Sequence, residues 1–227
     1  FLHFIDDPDQ ASDGWEYIED GLLILKLGQI TALGKTDNWF NFLPDGIEFH
    51  DFSGRLIMPG FIDTHTHYPH TNIIASHSTQ LLESLEKYTF PTEAKFSDIN
   101  VANSTAEFFC DELLRNGTTT SAVFATIHPE SVDAIFRAAQ KRDMRLISGK
   151  VMMDRNAPDF LCDTAQSSYD DSAKLIEKWH RNGRALYAVT PRFAPTSSDA
   201  QLRVAGRLLQ EYDGLYLQSH VAENADE

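Results

Sequence analysis

A parallel α/β fold of the (β/α) barrel type, preceded by a small antiparallel β unit, is what this sequence predicts, and three observations carry it. Up to about residue 54, short apolar runs are split by turn residues; from Arg55 onward strand-like and helix-like segments alternate; and the alternation continues through a fifth strand. An eight-stranded barrel occupies about 250 residues before any added domain, so roughly three βα units are expected to be missing here, either because the sequence is a fragment or because another chain completes the barrel. An open doubly wound sheet, which needs no further units, stands as the alternative.

The elements follow in order. Residues 15–18, 21–28 and 29–33 are apolar runs separated by Gly and acidic turns, and residues 1–54 are assigned to the N-terminal part of a small β domain, a β-sandwich. Residues 55–227 are assigned to the first five βα units of the barrel. The first strand is expected over 56–63; after a long loop, the segment from Val101 puts Ala102, Ala106, Phe109 and Leu113 on one helical face, closed by Asn116-Gly117. Residues 118–120 lead into a second strand at 121–124, and a helix over 130–142 gathers Val132, Ile135, Phe136 and Ala139. A third strand near 145–153, a helix over 172–182, a fourth strand at 185–190, a helix over 198–212 and a fifth strand at 215–220 complete the pattern.

Composition excludes several partners. With 34 acidic against 19 basic residues the formal charge is −15, which disfavours a nucleic acid polymer or an anionic membrane surface. No apolar run approaches the roughly 18 residues of a membrane span, and the first residues lack the pattern of a secretory signal. Cys110 and Cys162 are too few for a disulfide framework, so a reducing, cytoplasmic setting is expected.

Chemistry concentrates where strands would end. His65 and His67 follow the first strand two residues apart, so both imidazoles point to one side at the rim where barrel enzymes keep their active sites. Imidazole is a good zinc ligand, and catalytic zinc takes about three protein ligands. His220 ends the fifth strand as a third candidate, and Glu223 beyond it suits general acid/base work. Arg192-Phe193, after the fourth strand, would offer a guanidinium and an aromatic face to a flat heterocycle; the plain alternative is a surface Arg beside a core Phe. His70 could line the same pocket or face solvent, while His77, His128 and His180 are read as packing or surface residues.

The run Met58-Pro-Gly-Phe-Ile-Asp-Thr-His-Thr-His67 resembles the first-strand signature of the amidohydrolase superfamily. Leu85-Glu-Lys-Tyr-Thr-Phe-Pro-Thr-Glu93, Asn116-Gly-Thr-Thr-Thr120, Ala125-Thr-Ile-His-Pro-Glu130, Lys150-Val-Met-Met-Asp154, Val189-Thr-Pro-Arg-Phe193 and Ser219-His-Val-Ala-Glu-Asn224 are similar to stretches of its guanine deaminases, in the same order. The resemblance implies zinc-dependent hydrolysis of guanine to xanthine and ammonia, in purine catabolism, on an amidohydrolase-type barrel. It implies one Zn²⁺ per site, or Fe²⁺ or another divalent metal, held by His65, His67 and His220. It implies Glu223 and His220 as catalytic residues and His67, His70, Arg192, Phe193, His220 and Glu223 as the substrate-binding set. Where those enzymes usually carry Gln, this sequence has His70, which donates or accepts with a different shape. A further ligand His and an Asp are implied beyond Glu227, so little or no activity is expected of this chain alone. A homodimer is also implied. The rival readings are an amidohydrolase acting on another amino-substituted heterocycle and a non-catalytic binding protein of the same fold.

Overall fold

The structure, a computed structural model, describes every residue except 8, 11, 12, 77–80 and 224–227, so His77 and Asn224 lie outside the described residues. The chain divides into two compact units, Phe1–Gly60 and Phe61–Glu227. Among the described residues no helix is long and apolar enough to cross a membrane.

The first unit contains two antiparallel pairs. Strand β1 (Leu2–Phe4), too short to stand out in the sequence, pairs β2 (Trp15–Tyr17). Strand β3 (Gly21–Lys26) turns into β4 (Gln29–Lys35) through Leu27 and Gly28, at φ +52° and +76°. Positive φ at both central residues matches the twist of a tight hairpin, and Gly28 takes that conformation without a Cβ penalty.

The second unit is a partial (β/α) barrel. Strands β5 (Phe61–His67), β6 (Thr118–Phe124), β7 (Arg145–Gly149), β9 (Ala185–Pro191) and β10 (Tyr216–Leu217) run parallel, each beside the next, with β8 (Val151–Met152) also paired to β9. This order follows the chain in one direction. A doubly wound sheet must reverse at a switch point, so the alternative considered from sequence is overturned.

The first strand starts five residues later than expected, at Phe61 rather than residue 56. Pro59 has no amide hydrogen for a ladder, and pairing begins where the Phe61 amide donates to the Gly117 carbonyl at 2.8 Å. The two histidines therefore lie in the strand instead of after it. The expected third strand is broken at Lys150, although the register against β9 is the same on both sides: Ser148 faces Tyr187, and Val151 faces Thr190. Gly149 permits this crossing, because a Cβ there would stand 1.8 Å from the Ala188 carbonyl oxygen. The fifth strand shrinks to Tyr216–Leu217, followed by a lone bridge between Phe193 and His220.

Four long helices cover the sheet. In Ile99–Arg115 the buried face is Ala102, Thr105, Ala106, Phe109 and Cys110, and the Asp98 carboxylate accepts the Asn100 amide at 2.8 Å as N-cap. Pro129–Lys141 follows, with Pro in its first turn. The third helix is Ala165–Trp179, not residues 172–182: a Thr164–Ser167 capping box starts it about two turns earlier, and His180 takes an extended backbone that ends it. Asp199–Glu211 is capped by Ser198, whose own amide donates to Asp154 at 2.7 Å. The long loop read between the first strand and first helix is instead a series of short helical turns: Tyr68–Ile73, Leu81–Ser84, Leu85–Thr89, Phe90–Glu93 and Ala94–Ser97. These turns deliver Phe90 and Glu93 to the interior.

Candidate metal centre

The carboxyl ends of the parallel strands bring three imidazoles together. In β5 an extra residue bulges between Asp63 and Thr66 against β6, and Asp63 Oδ1 accepts the His65 amide at 3.1 Å. Such a bulge re-aims side chains at a strand end. Ring centroids of His65 and His67 are 5.3 Å apart, and His220 lies 4.8 Å from His65 and 5.1 Å from His67. One nitrogen from each of the three falls within 4.8 Å of the others, and His67 Nε2 faces His220 Nε2 at 3.0 Å.

The donor set fits a divalent cation. His220 Nδ1 donates to the Arg192 carbonyl at 2.8 Å, and the His220 amide donates to the same oxygen at 3.0 Å. That bond fixes the tautomer and leaves the Nε2 lone pair for the centre. Burial holds the His67 ring well below the ordinary histidine range, with the nearby His70, Arg192, His220 and His65 acting in the same direction. Burial also lowers His220, opposed by the Arg192 carbonyl bond and the Glu223 charge. Neutral imidazoles are the metal-binding form, and tetrahedral zinc with Zn–N of about 2.0–2.1 Å spaces its ligand nitrogens by about 3.3 Å. His67 Nδ1 is buried and has no hydrogen-bond partner among the described residues, an unpaired ring nitrogen that a bound cation or water would satisfy.

Phe124, at the end of β6 and in register with His67, is the floor of this cluster. Its ring stacks on His67 at 4.6 Å and touches His65 at 5.2 Å and His220 at 4.5 Å. The sequence marked Phe124 only as a strand residue; nothing in a Ser-Ala-Val-Phe run distinguishes a site aromatic from a core one.

Beside the imidazoles stands a charged chain. His70 stacks on His67 with centroids 4.6 Å apart, and its Nε2 lies 2.8 Å from Glu93 Oε1. Arg192 Nη1 donates to both Glu93 oxygens, at 2.9 and 2.8 Å, and its guanidinium sits 5.7 Å from the centre of the Phe90 ring. Arg192 is 3% exposed and Glu93 is fully buried, so the surface-Arg alternative is overturned. Burial alone would raise the Glu93 carboxyl, but Arg192 and His70 outweigh it and hold the group below the ordinary carboxylate range. Glu93 was given no role from sequence, since a single acid in Phe-Pro-Thr-Glu reads as surface. Phe193 is buried too, bridged to His220. Glu223 is exposed, just after Ala222 at φ +55°.

His67, His70 and Glu93 also bring ligand atoms within 4.8 Å of one another. The His67 and His70 rings are nearly parallel, at 7°, so their in-plane lone pairs do not converge and this group does not fit a second ion.

Residues 56–227 match the amidohydrolase family. The chain belongs to that family. Amidohydrolases depend on a metal, and the imidazole cluster is where this member can hold one. The sequence is 52% identical to the guanine deaminase of Escherichia coli K12 over 223 residues, covering 98% of this chain and 51% of that protein. The fold superposes on the solved E. coli guanine deaminase with a TM-score of 0.94 at 50% identity, covering 99% of this chain and 53% of the other. On the C. acetobutylicum guanine deaminase, solved with guanine in its active site, the TM-score is 0.85 at 31% identity, covering 99% and 54%. The chain thus spans about half the length of the relatives it matches.

Proposed function

We propose that this chain carries the metal and purine-binding half of a zinc-dependent guanine deaminase. The observation that carries the reading is the meeting of three imidazoles, His65, His67 and His220, beside a wall of His70, Glu93 and Arg192. These three histidines would hold one Zn²⁺ as neutral imidazoles. When bound, that ion supplies the Lewis acidity that makes water a nucleophile near neutral pH.

The chain's own residues do the rest. Arg192 and His70 orient the flat base by hydrogen bonds, and Phe193 and Phe124 wall off water. Glu223 takes one proton from the attacking water to a ring nitrogen, and then carries the remaining hydroxyl proton to the leaving amine. One C–O bond forms, one C–N bond breaks, and guanine and water become xanthine and ammonia. The relatives named guanine deaminase, and the one with guanine bound, support guanine over other amino-substituted heterocycles.

The test is ammonia release by the purified, zinc-loaded full-length protein that contains this chain, against guanine, adenine, cytosine and an aminotriazine, with and without a chelator. Chelator-sensitive turnover confined to guanine supports the reading; turnover of another base instead of guanine, or zinc binding with no base bound or turned over, refutes it.

A further inference from the structure

Glu93 touches both groups assigned to the purine wall and cannot itself reach solvent. A carboxylate only accepts hydrogen bonds, so the His70 nitrogen that faces Glu93 Oε1 at 2.8 Å carries the proton. In the neutral ring Nδ1 is then the acceptor. Among the described residues the bonds from the Arg192 guanidinium to Glu93 all leave from Nη1, so Nε and Nη2 stay available as donors.

We infer that Glu93 is the positioning residue of this site: by clamping Arg192 and His70 together it fixes the His70 tautomer, so that a bound base meets an acceptor at His70 Nδ1 beside donors at Arg192. The wall then selects planar bases that present an N–H toward His70 and a carbonyl or ring nitrogen toward Arg192. A glutamine at position 70 could turn its amide to offer either atom; a histidine cannot, and depends on Glu93 for its choice. The inference rests on the proposed purine site for its ligand, but the tautomer itself is a property of the free protein.

Two measurements on the purified full-length protein separate those layers. Long-range ¹H–¹⁵N correlation of the histidine rings is expected to show neutral His70 protonated at Nε2, with the proton moved to Nδ1 in Glu93→Gln, where the amide NH₂ turns to donate to Nε2. Guanine binding, followed by calorimetry, is expected to weaken about 10–100-fold in Glu93→Gln with zinc content unchanged, and KM to rise more than kcat falls. Adding His70→Gln to Glu93→Gln is expected to recover binding to within a few-fold, a rescue that a purely structural role of Glu93 would not allow. A His70 ring protonated at Nδ1 in the unmutated protein overturns the inference, as does Glu93→Gln that binds guanine like the parent. Should Glu93→Gln not fold, the tautomer in the unmutated protein decides. The expected tautomer without any guanine binding would refute the guanine reading and leave the positioning role standing.

Discussion

Arg192→Met removes the guanidinium but keeps much of its apolar stem, and leaves Glu93 buried with His70 as its one remaining partner among the described contacts. Breaking a buried ion pair from one side costs about 3–5 kcal/mol, because the stranded charge keeps its desolvation penalty. At about 1.4 kcal/mol per power of ten, this is two to four powers of ten in the unfolding equilibrium, and a loss on the order of 1–2 M in the urea midpoint at unchanged slope. Replacing both partners, Arg192→Met with Glu93→Leu, restores most of the loss, since no charge is left unpaired. The pH dependence gives a second sign. The folded Glu93 lies below its ordinary value of 4.5, so its contribution is present above 4.5 and is lost as pH falls through the folded value. Without Arg192 a major influence lowering the group is lost while burial stays, so the folded value rises and the contribution that Glu93 makes above pH 4.5 is expected to shrink. Urea melts from pH 4 to 8 on the parent, both single variants and the double variant test this. Equal losses in the single and double variants, or a pH slope untouched by Arg192→Met, would refute the reasoning.

Other expectations are read with simpler assays. Gly149→Ala forces a Cβ into the Ala188 carbonyl, so it is expected to destabilise by about 1–3 kcal/mol or more, seen as a lowered thermal midpoint by circular dichroism. The Cys110 thiol, raised by burial to about 12, is expected to resist iodoacetamide at pH 8 in the folded protein, while the partly exposed Cys162 is alkylated first; mass-mapped labelling in the opposite order would contradict the buried placement. His67→Ala is expected to drop bound zinc from about one equivalent to a small fraction by elemental analysis, whereas His180→Ala is expected to leave it unchanged, since His180 pairs with Tyr187 and Asp213 instead.

The barrel was legible in the sequence because its signals are local. Apolar spacing in 101–113 and 130–142 and the glycine stop at Gly117 each mark an element without reference to anything distant. The three imidazoles were legible because their residue type and their place at strand ends coincide. What the sequence hid depends on long-range pairing. Glu93 and Arg192 are 99 residues apart, and only the short turns between Tyr68 and Ser97, which carry no periodicity, bring the acid inward. Strand ends were misplaced for a related reason: the break at Lys150 follows from how closely Gly149 approaches Ala188, and no pattern within 145–153 encodes that approach.

The position of Arg192 links the two halves of the site. Its carbonyl holds His220 by side chain and backbone, while its guanidinium holds Glu93, which holds His70, whose ring stacks on His67. A shift of the 192 side chain can therefore disturb the proposed base wall without touching the bond that orients His220, a proposed metal ligand, because the carbonyl belongs to the backbone. A shift of the 192 backbone disturbs both. The distinction explains why side-chain variants at Arg192 and Glu93 should weaken guanine binding while keeping zinc, and why backbone-directed changes at the neighbouring Pro191, where β9 ends, should lose zinc and base together.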